Sequence, residues 1–500
     1  MVISMAFDSG SICELTTGRA WDRQQLWAEV SSRAQRNRAA ELQPGDRVLL
    51  LASSTLEFFA ELLAVWVNGA TAVPVDAALT GFELDNLAAA AEPRLIVVTG
   101  KSNTPQHAAA PIISTHDLSV TPSERGGISR LRLDDDALIL FTSGSTGKPK
   151  GVVHTHRSLQ ARWHTLRQAL GTEDYRRTLC LLPVYFGHGL ICNALFPLLA
   201  GCDLYLAPAF TPDVLSQLGR FIDQHSITAM SSVPTVWRVA LQLARPPREG
   251  TLRRVHCGSA PLSRELWRKI SEWAATAEVV NSYGITETGS WLAGSLGCGE
   301  PQDGLVGRGW GTEIRVLRTP DAPPAAIREA ECARGETGYV WIQTPALMKG
   351  YYRRDDLTSA AVSGGWFLTG DMGHQDEGGR LILDGRAVDE INKGGLKIQP
   401  QDVENAAEGF EHLSDVCAFA IPDALYGQNL ALAFVLRETR PEALAQFYRW
   451  MESRLSRQKL PAAWYLLESL PRTSRGKVHR PTVATLCAER QPVDPALFKQ

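Results

Sequence analysis

The stretch Phe141-Thr142-Ser143-Gly144-Ser145-Thr146-Gly147-Lys148-Pro149-Lys150-Gly151 gathers the groups that bind a polyphosphate. Glycines let backbone N–H groups approach an anion, hydroxyls donate hydrogen bonds, and a lysine adds a point charge. The apolar run Ala137 to Phe141 leads in and Val152 and Val153 follow, which predicts a buried strand spilling into a loop of small residues. By composition alone the loop also fits an ordinary polar turn. It is not a P-loop, because only two residues separate Gly144 from Gly147 and Pro149 follows Lys148.

Four further stretches carry chemistry. In Asn281-Ser282-Tyr283-Gly284-Ile285-Thr286-Glu287-Thr288-Gly289, a hydroxyl and a carboxylate follow a strand end, where they can hold a phosphate oxygen and Mg²⁺ beside an aromatic that can stack on a base. Thr369-Gly370-Asp371 sets a carboxylate after a tight turn, suited to two ribose hydroxyls. Asp384-Gly385-Arg386 precedes Lys393-Gly394-Gly395-Leu396-Lys397-Ile398, and Pro471-Arg472-Thr473-Ser474-Arg475-Gly476-Lys477 is a basic loop.

In this order the five motifs resemble the adenylate-forming superfamily: acyl-CoA synthetases, aryl acid ligases, nonribosomal adenylation domains and beetle luciferases. The resemblance runs from about Gly45 to about Arg480. It implies ATP, Mg²⁺ and CoA, or the phosphopantetheine of an acyl carrier protein in place of CoA. It implies that Thr142, Ser143, Gly144, Ser145, Thr146, Gly147 and Lys150 cradle the β- and γ-phosphates. Tyr283 would stack on adenine, with Gly258, Ser259 and Ala260 across the base and Asn281, Ser282 and Gly284 alongside. Thr286 would contact the α-phosphate, Glu287 hold Mg²⁺, and Asp371 and Arg386 bind ribose. Lys477 would be the mobile lysine that bridges the carboxylate and the α-phosphate. Gly394 and Gly395 would line a thiol tunnel that opens when a small domain swings. The hinge position falls on Val388, where the family more often has Lys or Asp, although Asp389 is adjacent.

The expected reaction brings a carboxylate to an α-phosphorus, and the repulsion between two anions must be neutralised, here by Mg²⁺ and Lys477. By the same resemblance the acyl pocket is built from Tyr185, Phe186, Gly187, His188 and Asn193 with Gly258, Tyr283, Gly284 and Gly289. No Asp lies between Pro183 and Gly201 to pair with an ammonium, which disfavours a free amino acid. With Trp291 the segment suggests an aryl or short, compact acid. His188 has catalytic readings, as a gate over the carboxylate or a donor to a substrate hydroxyl, and a packing one, satisfied by a backbone carbonyl. Cys192, Cys257 and Cys298 read as packing residues.

The elements that must position these residues alternate. Val48–Leu51, Val73–Val75 and Leu95–Val98 read as strands, with an amphipathic helix over Phe59, Leu62, Leu63 and Trp66 started by a capping box at Ser54 to Glu57, and a helical segment Phe82–Ala91. Strands recur at 178–182, 204–206, 229–233, 255–257 and 279–283, which argues for a parallel sheet with ligands at the strands' carboxyl ends. Residues 104–130 read as a surface linker, and β-rich texture follows Ile314. The expected fold is α/β: residues 1–385 form a large domain of α/β subdomains plus a β-rich subdomain, and 386–500 a small mobile α+β domain.

Lys plus Arg number 51 against 54 Asp plus Glu, a net charge of −3, so nucleic-acid binding is not indicated. Nine cysteines without a C-x-x-C pair argue against zinc and a disulfide framework, and for a cytoplasmic setting. No membrane span is expected, and the chain is read as a monomer or homodimer. A carrier-protein acceptor, an unusual acid or nucleophile, and a degenerate binding homologue are the alternatives. The last predicts losses at Glu287, Asp371, Arg386 or Lys477, and all four are present.

Overall fold

The computed structural model describes residues 9–100, 102–117, 131–142, 149–208, 211–275, 277–321, 329–386, 390–407, 409–437, 440–472 and 478–499. Its strands form three sheets, of fourteen, seven and five strands. Among the described residues no helix is long and apolar enough to cross a membrane.

In the seven-stranded sheet Arg47–Ala52 lies between Thr71–Asp76 and Leu95–Val98, parallel to both. Asp136–Thr142 runs beside Thr71–Asp76 and turns back into the antiparallel Lys150–Thr155. Thr142 faces Lys150 across this hairpin, so the glycine loop is its tip. Residues 143–148 of that loop lie outside the described residues. Residues 104–130, expected as a linker, contribute a short strand, Ile112–Ser114, paired with Leu95–Val98.

The fourteen-stranded sheet is parallel from Ile12–Glu14 through Asp203–Leu206, Arg177–Cys180, Ala229–Ser232 and Arg254–Gly258 to Glu278–Ile285. Beyond that it becomes antiparallel, through Ser290–Gly294 and Leu305–Gly309 into the β-rich part that contains Trp366–Gln375 and Leu381–Arg386. The strands expected to be parallel are parallel, and antiparallel pairing sets in at Ser290–Gly294, ahead of the β-rich texture read from Ile314. Short connections such as Thr286–Gly289 cannot hold a crossover, so they make hairpins. The five-stranded sheet begins at Ile391–Lys393 and carries the helices Pro400–Ala407, Pro441–Arg454 and Arg480–Ala488.

The helix Leu56–Val67 departs from the sequence reading. Thr55, not Ser54, is its N-cap, accepting from the Phe58 N–H, while Glu57 turns to Arg19. All twelve of its residues are buried, because one continuous core joins it to both large sheets. An element apolar on every side is the form a helix takes inside a core. Its polar exceptions are Glu57, held by Arg19, and Glu61, fully buried, which accepts from Arg36 Nη1 at 2.9 Å, Arg36 Nη2 at 2.6 Å and Thr115 Oγ1 at 2.7 Å, with Arg33 Nε 3.2 Å away.

Removing one member of such a pair strands buried charge. Glu61→Leu is expected to cost about 3–5 kcal/mol in chemical denaturation. A loss below about 1 kcal/mol would show that solvent reaches the two arginines.

Candidate active site

The strand Glu278–Ile285 ends in a 3-10 turn, Thr286–Thr288, that sets Glu287 at the mouth of the crevice. The His154 ring fixes this turn: Nε2 lies 2.8 Å from the Thr286 carbonyl oxygen and so carries the proton it donates. Glu287 accepts from Lys150 Nζ at 3.3 Å and from the Tyr351 hydroxyl at 2.8 Å. Lys150 Nζ also stands 4.1 Å from the Tyr351 ring centroid. Burial works against ionisation of Glu287, yet Lys150 and then the Tyr351 hydroxyl outweigh it and hold the carboxyl below its usual range. Sequence reasoning placed Lys150 and Glu287 in separate roles and did not single out Tyr351 or His154.

Tyr283 and Asp371, 88 residues apart, are joined by a hydrogen bond from the phenol to the carboxylate. Asp371 is paired across the antiparallel ladder with Arg386, which brings the two expected ribose ligands to one register position. The side chain of Arg386 lies outside the described residues. Gly258 and Gly284 are needed here for close approach: a Cβ would come within 2.3 Å of the Ser282 carbonyl oxygen at the first and of the Ser290 carbonyl oxygen at the second. Ser259 and Ser290, neither a glycine, adopt φ of 64° and 72°, strain of the kind that gathers at functional sites.

Behind this rim lies a floor of aromatic and imidazole rings. His188 opens a π-helical turn, His188–Leu195, a distortion frequent at functional sites. Both its ring nitrogens are engaged, Nδ1 with Ser259 Oγ at 2.8 Å and Nε2 with Ser231 Oγ at 2.6 Å. Serine hydroxyls thus replace the backbone carbonyl of the packing reading, and neither nitrogen is left over for a substrate. His256 is bonded in the same way to Tyr175 and Ser282, at 2.6 and 2.7 Å. Trp291 stacks on His256 with centroids 4.0 Å apart and meets His188 edge-on at 5.5 Å. Phe186 lies edge-on to His188 at 6.2 Å, and Tyr185 is tilted against Phe186. A Cβ on Gly187 would stand 3.5 Å from Leu140 and 3.6 Å from Ser290. Asn193 donates to the Leu179 carbonyl, which turns its amide toward the sheet. Cys192 and Cys257 are buried, with thiols pushed up to about 12 by desolvation, which suits packing.

The hairpin Ile391–Ile398 of the five-stranded sheet is seated on this crevice. Asn392 Nδ2 donates to the Ser259 carbonyl at 3.0 Å, and Thr235 Oγ1 to the Gly394 carbonyl at 3.1 Å. Gly395 would touch Val233 and Ser259 if it carried a Cβ. A second contact joins Glu83 to Lys459 Nζ at 2.8 Å and to the Ser456 N–H at 2.9 Å. Lys477 and the hinge residues Val388 and Asp389 lie outside the described residues. Arg480, at the end of the matching stretch, is tied to Glu404 at 2.6 Å and to the Ala418 carbonyl.

A phosphate-side lysine, an ionised carboxylate at a strand end and a phenol–carboxylate pair in one crevice are the parts of an adenylating site. The chain belongs to the AMP-binding enzyme family, which matches residues 8–352, and is an enzyme of the adenylate-forming superfamily. It is 30% identical over 89% of its length to an oxalate–CoA ligase of Arabidopsis thaliana, 89% of which is covered. Its fold resembles that of o-succinylbenzoate CoA synthetase from Bacillus subtilis bound to a product analogue, with TM-score 0.85 and 23% identity over 97% of this chain and 96% of that one. For the same enzyme with its acyl-adenylate intermediate, at the same identity and coverage, the TM-score is 0.69.

Four buried histidines, three at the site and His156 at the far end of the Lys150–Thr155 strand, are neutral through desolvation: His188 at about 3, His154 and His156 at about 4, and His256 well below its usual value. Unfolded, each takes up a proton near pH ~6.5. Below that the unfolded chain binds more protons than the folded one, so their stabilisation is complete above pH ~6.5 and lost progressively toward pH ~4. The melting temperature is expected to fall steadily between pH 7 and 5, and His156→Gln to flatten the decline.

Proposed function

We propose that Glu287, Lys150 and Tyr351 serve the charge-bearing half of an acid-activating reaction, and that the acid is short and compact. The chain is an AMP-forming acid–CoA ligase: the carboxylate attacks the α-phosphorus of ATP, pyrophosphate leaves, and the acyl group passes from the adenylate to the thiol of CoA. The observation that carries the site reading is Glu287, kept ionised between a lysine and a phenol at the strand ends. One carboxylate, with no cluster of three metal-ligating side chains among the described residues, suits an ion held mainly by substrate phosphates, and so fits Mg²⁺. When bound, Mg²⁺ at Glu287 would supply neutralising charge for the phosphates.

The chain's own groups do the rest. Lys150, beside the glycine loop, would turn its charge toward the β- and γ-phosphates. Tyr283 and Asp371 hold the nucleoside, with Arg386 at the paired register position. Lys477 neutralises the phosphorane in the first half-reaction. The hairpin carrying Gly394 and Gly395, seated beside Ser259 and Thr235, supports a thiol route at that point in the second. The higher TM-score to the product-analogue complex supports reading this arrangement as that of thiol transfer. His188 and His256 are both engaged by hydroxyls and packed against Trp291, so we assign His188 to shaping the pocket.

The test is pyrophosphate release across aryl and short aliphatic acids, with and without CoA. Release with a short acid, and thioester formation when CoA is present, is the expected result. If no carboxylic acid stimulates release, the ligase reading fails, and release without a CoA thioester moves the acceptor to a carrier protein. Lys477→Ala is expected to cut adenylate formation by about 10² or more while sparing thiolysis of a supplied acyl-adenylate. Equal loss in both half-reactions would remove Lys477 from the first.

A further inference from the structure

Four arginines are buried among the described residues: Arg33, Arg36, Arg162 and Arg254. Three of them face carboxylates, Arg33 and Arg36 at Glu61 and Arg254 at Asp174 and Glu278. Arg162, fully buried, has no carboxylate within ion-pair distance among the described residues. Its Nε donates to the Thr288 carbonyl at 3.0 Å, and Nη1 to the Trp310 carbonyl at 3.2 Å and to Thr165 Oγ1 at 3.4 Å. Nη2 reaches Thr344 Oγ1 only at 3.5 Å. A buried cation surrounded by neutral oxygens is costly unless an anion joins it. Burial pulls its pKa down to about 10, still high enough to leave it charged at neutral pH.

Its place is the back of the acyl pocket. A Cβ on Gly289 would stand 3.6 Å from Arg162 Cγ, and Cys192 of the pocket segment points its thiol at the Gly289 carbonyl oxygen, 3.3 Å away. Two residues beyond Gly289 is Trp291, whose ring lies between His188 and His256 and 6.3 Å from Trp310, the residue whose carbonyl Arg162 binds. Trp291 is 2% exposed, and its Nε1–H has no hydrogen-bond partner among the described residues. An indole N–H is a donor only, so what it lacks is an acceptor. The neighbouring imidazoles are occupied by serine and tyrosine hydroxyls, and among the described residues no carboxylate is hydrogen-bonded to Arg162 or Trp291 to compete for an anion.

We propose that Trp291 and Arg162 form an anion subsite for a second charged group of the substrate. The acid is then a short dianion, a carboxylate or sulfonate joined by a small linker to the carboxyl that is activated. Trp291 donates to that group and Arg162 supplies the charge behind it. The proposal rests on the acid-ligase reading above.

The experiment measures ATP-dependent pyrophosphate release with malonate, succinate and sulfoacetate against propionate, butyrate and monomethyl malonate. The dianions are expected to exceed the matched monoanions in kcat/KM by roughly 10–10², the worth of one or two charge-assisted hydrogen bonds. Sulfoacetate outrunning the dicarboxylates would name sulfonate as the distal group, and the reverse a carboxylate. Trp291→Phe, which keeps the ring and loses the N–H, is expected to lower the dianion-to-monoanion ratio by about tenfold, mainly through KM for the acid. Arg162→Gln is expected to abolish the preference and Arg162→Lys to keep much of it. Monoanions turned over as well as dianions by the unmodified enzyme, or a Trp291→Phe ratio equal to that of the parent, overturns the proposal and leaves the ligase reading standing. Release with neither class defeats both.

Discussion

Glu287 is a carboxylate that must stay charged in a crevice from which most water is excluded, and the surrounding structure follows from that requirement. Desolvation alone would push its proton back on; Lys150 and the Tyr351 hydroxyl prevent this. Lys150 reaches it because its strand pairs with both Asp136–Thr142 and Gly350–Tyr351, which sets lysine and tyrosine on one edge of the smaller large sheet. Glu287 itself belongs to the other large sheet. The ion pair therefore spans the joint between the two, and its geometry is only as good as the packing of that joint. This is where the buried helix Leu56–Val67 matters, since the core that fixes the sheets against each other runs through it.

The same economy of charge explains the imidazoles. His154, His188 and His256 lie in or behind the site and are all neutral because they are buried. A protonated ring there would compete with Lys150 for Glu287 and with the substrate's own counter-charges. Each pocket imidazole instead spans two hydroxyls, which lock the ring plane: His188 between Ser231 and Ser259, His256 between Tyr175 and Ser282. Trp291 is then held by rigid neighbours, as a residue that defines a pocket wall must be.

Much of this was legible in the sequence, and unevenly. The strands at Leu95–Val98, 229–233 and 255–257 lie within a residue or two of where apolar runs predict them, since short buried strands leave continuous apolar signatures. The helix at Leu56–Val67 was legible as a helix but not as a core element: Glu57 and Glu61 look like its solvent face until Arg19, Arg33 and Arg36 arrive from elsewhere in the chain. Lys150, Glu287, Tyr283 and Asp371 were legible because motifs fix them locally. Tyr351, His154 and Asn392 were not, because each reaches the crevice through a contact 64 to 133 residues away in sequence. His188 was singled out as a gate, a donor or a ring packed on a backbone carbonyl, and the two serines that occupy it carry no local signal.

The seating of the small domain adds a constraint of its own. Its contacts with the large domain are mostly polar: Asn392 with the Ser259 carbonyl, Thr235 with the Gly394 carbonyl, Arg238 with the Leu425 carbonyl, and Glu83 with Lys459 and Ser456. Groups of this kind can exchange their partner for water at little cost, unlike an apolar face, so such an interface can be made and broken within a catalytic cycle. The glycine pair sits where this matters most. A Cβ at Gly394 would lie 2.6 Å from Thr235 and 2.9 Å from the Tyr426 ring, so any side chain there would hold the hairpin off the crevice. The hairpin's approach, and with it any narrow passage for a thiol beside Ser259, therefore depends on an absent side chain, whereas charge at the phosphate end depends on Glu287 and Lys150, groups that stay in the large domain. The hairpin is thus held by hydrogen bonds that water can replace, whereas the joint that carries Glu287 and Lys150 is fixed by the core of the two large sheets.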